Sequence, residues 1–354
     1  MDVGERVEAV LEGNMPDRLP QLTYSNFLPR GSFERMLRNM ELGLDVRCSV
    51  HRSESPNVRR ESHTEGDQEV TDIVTPAGTL RQRRRINLTF QNPGGSWMIE
   101  HPVKGVEDLE VLEYIVEDTS YQPEYDTYHR LCSELEGDGV VTVGVSYTPL
   151  MHLIVNYLGY KTFSVMLKRH LEELEEAIAT VDRSFTELYK IVAESPARIV
   201  RIGENVDEVL MPVHIFEKYC LPFLDKYAGM LQRGDKRVSS HMDGRLKTLK
   251  DLIGRSRLDA IEAFTPPPTG NLPISEAKAA WPGKVLWLNF PQVIFLEERE
   301  KIRGFTVELM KEMGDGSGYI VGMTEDIHPD HFTKGMETLT STIYENGRLP
   351  LTWS

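Results

Sequence analysis

Eight short runs dominated by β-branched and aliphatic residues punctuate the chain, and each ends in polar or glycine-rich residues. They are LPQLTY (19–24), DVRCSVH (45–51), VVTVGVSY (140–147), RIVRIGE (198–204), RVSSHM (237–242), LDAIEAF (258–264), KVLWLNF (284–290) and GYIVGMT (318–324). Runs of this length bounded by turn residues read as buried strands. Between the later ones lie HLEELEEAIATVDRSFTELYKIVAES and HIFEKYCLPFLDKYAGMLQRG, whose apolar residues recur every three or four positions. That spacing puts one apolar stripe on a helix, so each segment reads as a crossover helix. Strands alternating with helices predict an α/β protein with a parallel sheet, and eight of them predict a closed (β/α)8 TIM barrel.

One block breaks the alternation. Residues 59–100 alternate with period two and contain TPAG and NPGG, which predicts a β-hairpin insertion after the second strand. No repeat and no long Pro/Gly/Ser linker divides the chain, so 1–354 reads as a single domain, although 354 residues could hold two.

Charge and composition then narrow the partners. Against 40 Lys and Arg stand 55 Asp and Glu, a net charge of -15; this disfavours nucleic acid, whose binding depends on displacing counterions with basic residues. The cluster RQRRR at 81–85 runs against that balance and reads as a solvated hairpin face. No apolar run reaches the ~18 to 20 residues of a spanning helix, and the first twenty residues lack a basic start followed by an apolar core. A cytoplasmic protein, monomeric or homodimeric, is expected. The three cysteines are scattered without paired spacing, which argues against a disulfide framework or a thiolate zinc site.

In a barrel of this type the loops after the strands form the active face, so a polar residue at a strand's carboxyl end carries functional weight. That rule selects Tyr24 and Asn26, Tyr147, Glu204 and Asn205, His241 and Asp243, Glu262, Asn289, and Glu325 with Asp326. His-x-Asp sets His241 and Asp243 on one face of a strand end by the period-two rule. With Glu262 and Glu325 from neighbouring strands they could ligate zinc as an open, Lewis-acidic site. The same groups could instead transfer protons, or be structural. Tyr24, Phe27, Tyr147 and Phe264 supply aromatic surface for a substrate, while Trp281 and Trp287 read as packing. His152, His328 and His331 read as surface residues near loops.

Taken together, RVEAVLEGNMPDRLP, TPAGTL, HPVKGVEDLEVLEYIVED, GENVDEVLMPVHIFEKYCLPF, SSHMDGRLKTLKDLI and NLPISEAKAAWPGKVLWLNFP resemble the uroporphyrinogen decarboxylase superfamily. Within it, the chain is most similar to the corrinoid-dependent methyltransferases. A decarboxylase of the superfamily carries an MRQAGR-like segment after the first strand; here YSNFLPRGSFERML leaves only Arg30 and Arg35. Thiol-directed methyltransferases of the superfamily hold zinc with a His-x-Cys pair and a later Cys. Here His241 matches the His, Asp243 stands at the first Cys, and the later Cys falls near Met323.

Carboxylate and imidazole ligands leave a metal a harder acid suited to oxygen. The resemblance therefore implies an O-demethylase of anaerobic one-carbon metabolism. Its small methoxylated substrate, aromatic in kind, would pass a methyl group to the Co(I) of a separate corrinoid protein, since no cobalamin-binding Asp-x-His-x-x-Gly motif is present. His241, Asp243, Glu262, Glu204 and Asn205 are the expected catalytic residues; Tyr24, Asn26, Tyr147, Phe264 and Asn289 the expected substrate contacts; His241, Asp243, Glu262 and Glu325 the expected zinc ligands. Methyl transfer between a corrinoid and tetrahydrofolate, a decarboxylation, and a non-catalytic binding barrel remain as alternative readings.

Overall fold

The computed structural model describes residues 1–90 and 95–353. Eight parallel strands close into a barrel: β1 (Gln21–Tyr24), β2 (Leu42–Cys48), β3 (Gly139–Tyr147), β4 (Ile199–Gly203), β5 (Arg237–His241), β6 (Ala260–Phe264), β7 (Val285–Asn289) and β8 (Tyr319–Met323). Each pairs in parallel with its chain neighbour, and β8 returns to β1 through Gln21↔Val321 and Leu22↔Gly322. All eight runs read from the hydrophobic pattern are barrel strands, and helices flank them.

The helix Val3–Leu11 begins in a capping box, Asp2 accepting from the Glu5 amide and Glu5 from the Asp2 amide. It lays Val7, Val10 and Leu11 against Leu22, Val140, Ile199, Ala260, Val285 and Ile320. These residues plug the amino-terminal end of the barrel with apolar side chains, so a polar site can open only at the other end. The larger core fills the space between strands and outer helices. Trp281 and Trp287 are both buried, as packing residues should be, and the Trp281 indole N–H donates to the Lys250 carbonyl at 2.7 Å.

The segment 171–194 forms one helix, Leu171–Glu194. The segment expected as one helix from 214 is two, Val213–Tyr219 and Leu221–Gln232, meeting at Cys220. Pro222 is the cause: it has no N–H to give an upstream carbonyl, and it is comfortable only in a helix's first turn.

After β2 the strands Arg59–Glu65, Gln68–Thr75, Gly78–Arg85 and Trp97–Glu100 form a separate antiparallel sheet. The TPAG turn joins its second and third strands, with Thr75 opposite Gly78; most of NPGG lies outside the described residues. A two-stranded sheet, His51–Glu54 with Ser120–Pro123, brackets this excursion. The basic cluster is a charge-paired face of the larger sheet. Arg81 holds Asp72 at 2.6 and 2.8 Å, Arg83 holds Glu65 and Glu100, and Arg85 lies 3.1 Å from Asp67. No helix among the described residues is long and apolar enough to cross a membrane.

Candidate active site

Alternation along a strand decides which side chains enter the barrel. Tyr24 and Asp45 are neighbours across β1 and β2, and His241 and Glu262 across β5 and β6. Arg201 of β4 extends into the same space. Glu262 is fully buried and lies at the centre of a network. One oxygen accepts from the Tyr24 hydroxyl at 2.7 Å; the other is 2.7 Å from His241 Nδ1 and 3.2 Å from Arg201 Nε. The last is an ion pair whose angle falls outside hydrogen-bond geometry, and Arg201 Nη1 has no partner among the described residues. Arg201 Nη2 donates to Asp45 at 2.6 Å, and the Thr142 hydroxyl to the other Asp45 oxygen at 2.5 Å. The guanidinium also lies over the Tyr24 and Trp287 rings, 5.4 and 5.2 Å from their centroids.

Asp45, Arg201, Glu262 and His241 thus alternate in charge sign from the barrel wall to the mouth. Burial alone would drive each toward its neutral form. For Glu262, burial is outweighed by the charges of Arg201 and His241 and by the bonds from His241 and Tyr24, which bring its carboxyl down to about 2. For His241, burial is outweighed by Glu262 and Asp243, which push the imidazolium up to about 10. Burial, reinforced by Glu262, holds the Tyr24 phenol well above its usual range. The imidazole is therefore a cation at neutral pH. It is fixed at Nδ1 by Glu262, and its Nε2 faces Asp243 at 3.4 Å with 20% of the side chain exposed.

Around this centre the structure distributes the other expected residues unevenly. Asn289 is buried at the end of β7, accepting from the Thr324 amide and donating to Thr265 and Glu325 at 3.1 and 3.0 Å. It anchors Glu325, whose carboxyl is raised by burial and by the charge of Asp243. Asn205 and Tyr147 stand together at the rim, amide to phenol oxygen at 3.5 Å. Asn26 is exposed and accepts from Arg47 at 3.4 Å. Glu204 is fully buried, its two oxygens taken by the Thr148 hydroxyl at 2.8 Å and amide at 3.1 Å; burial lifts its carboxyl to about 7.

Phe264 requires a correction as a substrate contact. Between Glu262 and Phe264 the register shifts, Ala263 adopts φ 58°, and Phe264 pairs with Leu288 instead of continuing the inward face. Its ring is fully buried and edge-on to Trp281, 5.4 Å between centroids, in the outer layer.

The expected zinc ligands do not form a ready donor set. His241 Nδ1 and both Glu262 oxygens are already engaged, and the Arg201 guanidinium lies 3.2 Å from Glu262. Among the described residues no group of three or more His, Cys, Asp or Glu side chains is arranged to hold a metal ion.

Asp45 and Arg201 were missed because the strand-end rule ignores positions inside a strand. The sequence does carry a signal: Asp45 in DVRCSVH and Arg201 in RIVRIGE are charges of opposite sign within strand runs, which a barrel interior tolerates only if the charges meet.

A closed barrel whose ionisable side chains converge on the carboxyl-terminal mouth is the architecture of the (β/α)8 barrel enzymes. The chain belongs to the uroporphyrinogen decarboxylase (URO-D) family, whose model matches residues 72–346. Among solved structures, a methyltransferase from Methanosarcina mazei superposes with TM-score 0.60 at 13% identity, over 98% of this chain and 99% of that one. This likeness is one of fold. A GH20 catalytic module of the pneumococcal exo-beta-D-N-acetylglucosaminidase StrH reaches TM-score 0.41 at 9% identity, over 93% and 83% of the two chains. No curated protein matches the sequence.

Proposed function

We propose that this protein is a methyltransferase that removes the methyl group of a small methoxylated substrate, an aromatic methyl ether, and that His241 is its proton donor. The observation that carries the reading is the His241–Glu262 contact: an imidazolium held at one ring nitrogen, with the other N–H at a barrel mouth. Family membership and the methyltransferase fold neighbour are consistent with it.

An ether oxygen is a poor leaving group unless a proton or another electrophile meets the charge that develops on it. The electron pair that takes the methyl group would come from the Co(I) of a separate corrinoid protein. As the methyl–oxygen bond breaks, its electrons remain on oxygen, and the Nε2 proton of His241 passes to that oxygen, leaving a phenol and a neutral imidazole. A donor near pH 10 is matched to a phenol, whose own pKa is about 10. Glu262 stabilises the imidazolium beforehand and keeps Nδ1 in place. Asp243 orients the outward N–H. Tyr147 and Asn205 at the rim, with Tyr24 deeper, contact and align the substrate.

The test mixes the protein with Co(I) corrinoid protein and, separately, methoxyaromatics, betaines, methylamines, methyl thiols and methyltetrahydrofolate, following the corrinoid absorbance. Methylation from an aromatic ether is the expected result. Reaction with methyltetrahydrofolate alone would replace this reading, as would carbon dioxide release from a porphyrinogen without corrinoid.

A further inference from the structure

Away from the mouth, a recess of about 390 Å³ opens between the helices Leu109–Asp118 and Leu171–Glu194, beside the two-stranded sheet. Its volume falls within the ~300 to 1,000 Å³ of small-molecule sites, and none of its lining residues belongs to the mouth network. Its apolar lining is Ile115, Val116, Val181 and Phe185; its polar lining includes Arg60, Tyr121, His152, Tyr157, Ser53 and Ser184. No carboxylate among the described residues lines it.

The polar lining is built to donate. His152, expected at the surface, instead lies edge-on to Phe185, 4.9 Å between centroids, and 5.6 Å from Tyr157. The Asn156 amide nitrogen donates to His152 Nδ1 at 3.2 Å and also to the His152 carbonyl. The Ser146 hydroxyl lies 2.8 Å from the same Nδ1, so that nitrogen is engaged within the protein, and burial, which brings the ring down to about 4, keeps the imidazole neutral. Tyr121 accepts from Ser184 at 3.3 Å, which leaves its own proton to give. Tyr157, on a single turn of π-helix, Ile154–Leu158, lines the recess together with Arg60 and Tyr121. Ser55 is occupied with Thr119 at 2.8 Å. Acidic residues, Glu117 and Glu187, enter only in the adjoining recess, together with Arg183. An anion would thus settle at the Arg60 end.

We propose that this recess is a second ligand site, taking a small organic carboxylate: the acid group against Arg60, Tyr121, Tyr157 and His152, the apolar body against Ile115, Val181 and Phe185. Nothing in this assignment depends on the chemistry at the mouth.

The experiment is calorimetric titration of the whole protein with benzoate, benzamide and inorganic phosphate, repeated on Arg60→Gln and Tyr157→Phe after thermal melts establish that both fold. Asn205→Ala serves as the control for binding at the mouth. Benzoate should bind at least tenfold more tightly than benzamide and than phosphate, and each recess variant should weaken it at least tenfold while Asn205→Ala leaves it unchanged. Three results would overturn the proposal: no benzoate binding, binding indifferent to both recess variants, or phosphate binding as tightly as benzoate. Loss of benzoate binding in Asn205→Ala alone would assign the anion to the mouth and overturn it equally.

Discussion

His241 Nδ1 and Glu262 Oε2 stand 2.7 Å apart on adjacent parallel strands, and this contact makes the histidine a cation. Replacing Glu262 by Gln keeps the volume but removes the charge that stabilises the imidazolium. The alkaline limb of kcat/KM, set near pH 10 in the parent, should move down by about two pH units. His241→Phe should lower turnover by about 10² to 10⁴ with no such limb. A profile unmoved in Glu262→Gln would remove His241 as the titrating donor.

The same proton is linked to stability. A histidine whose folded pKa is about 10 against 6.5 unfolded binds its proton more tightly in the native state. Its stabilisation is full below pH 6.5 and is lost as pH rises toward 10. Glu262 behaves in the opposite sense: its stabilisation is full above about pH 4.5 and is lost as pH falls toward 2. Urea midpoints across pH should therefore show both declines, and His241→Phe should abolish the alkaline one.

Arg201 joins Asp45 to Glu262 in the barrel interior, where removing one partner strands the other charges away from water. Arg201→Leu should cost about 3 to 5 kcal/mol in urea unfolding. A loss below about 1 kcal/mol would mean that Asp45 and Glu262 find other partners or protonate cheaply.

Glu204 carries the inverse signature. Its carboxyl, raised by burial to about 7 from 4.5, is neutral in the native state while the unfolded chain ionises. Stability should fall as pH rises from 4.5 to 7. Glu204→Gln should flatten that decline and be the more stable form at pH 8, by about 1 to 3 kcal/mol. Matched pH profiles of the two proteins would contradict a buried ionisable group.

Asn205 combines an exposed amide at the rim with φ 34°, in the left-handed region. Asn205→Ala and Asn205→Gly should lose turnover alike, since both delete the amide beside Tyr147. Only alanine should lose stability, by about 1 kcal/mol, because glycine accepts that backbone without strain. Unchanged turnover in both would return Asn205 to a backbone role.

Barrel closure was legible in the chain because each strand's burial is written locally, as a short apolar run ended by polar residues. The rim candidates were legible for a related reason: a strand's last residues necessarily reach the mouth. His241, Glu262 and Asn289 reach the mouth in this way. What local pattern could not hold was which side chains meet across strands. Arg201 reaches Asp45 and Glu262 only because β2, β4 and β6 face one interior, a relation spanning 156 residues between Asp45 and Arg201. Phe264 faces outward because one positive φ at Ala263 shifts its register against β7. Hydrophobic periodicity reports how deeply a residue lies and on which face of its own strand. Partnership and charge state depend on the register in which distant strands close, and that is decided by the tertiary structure.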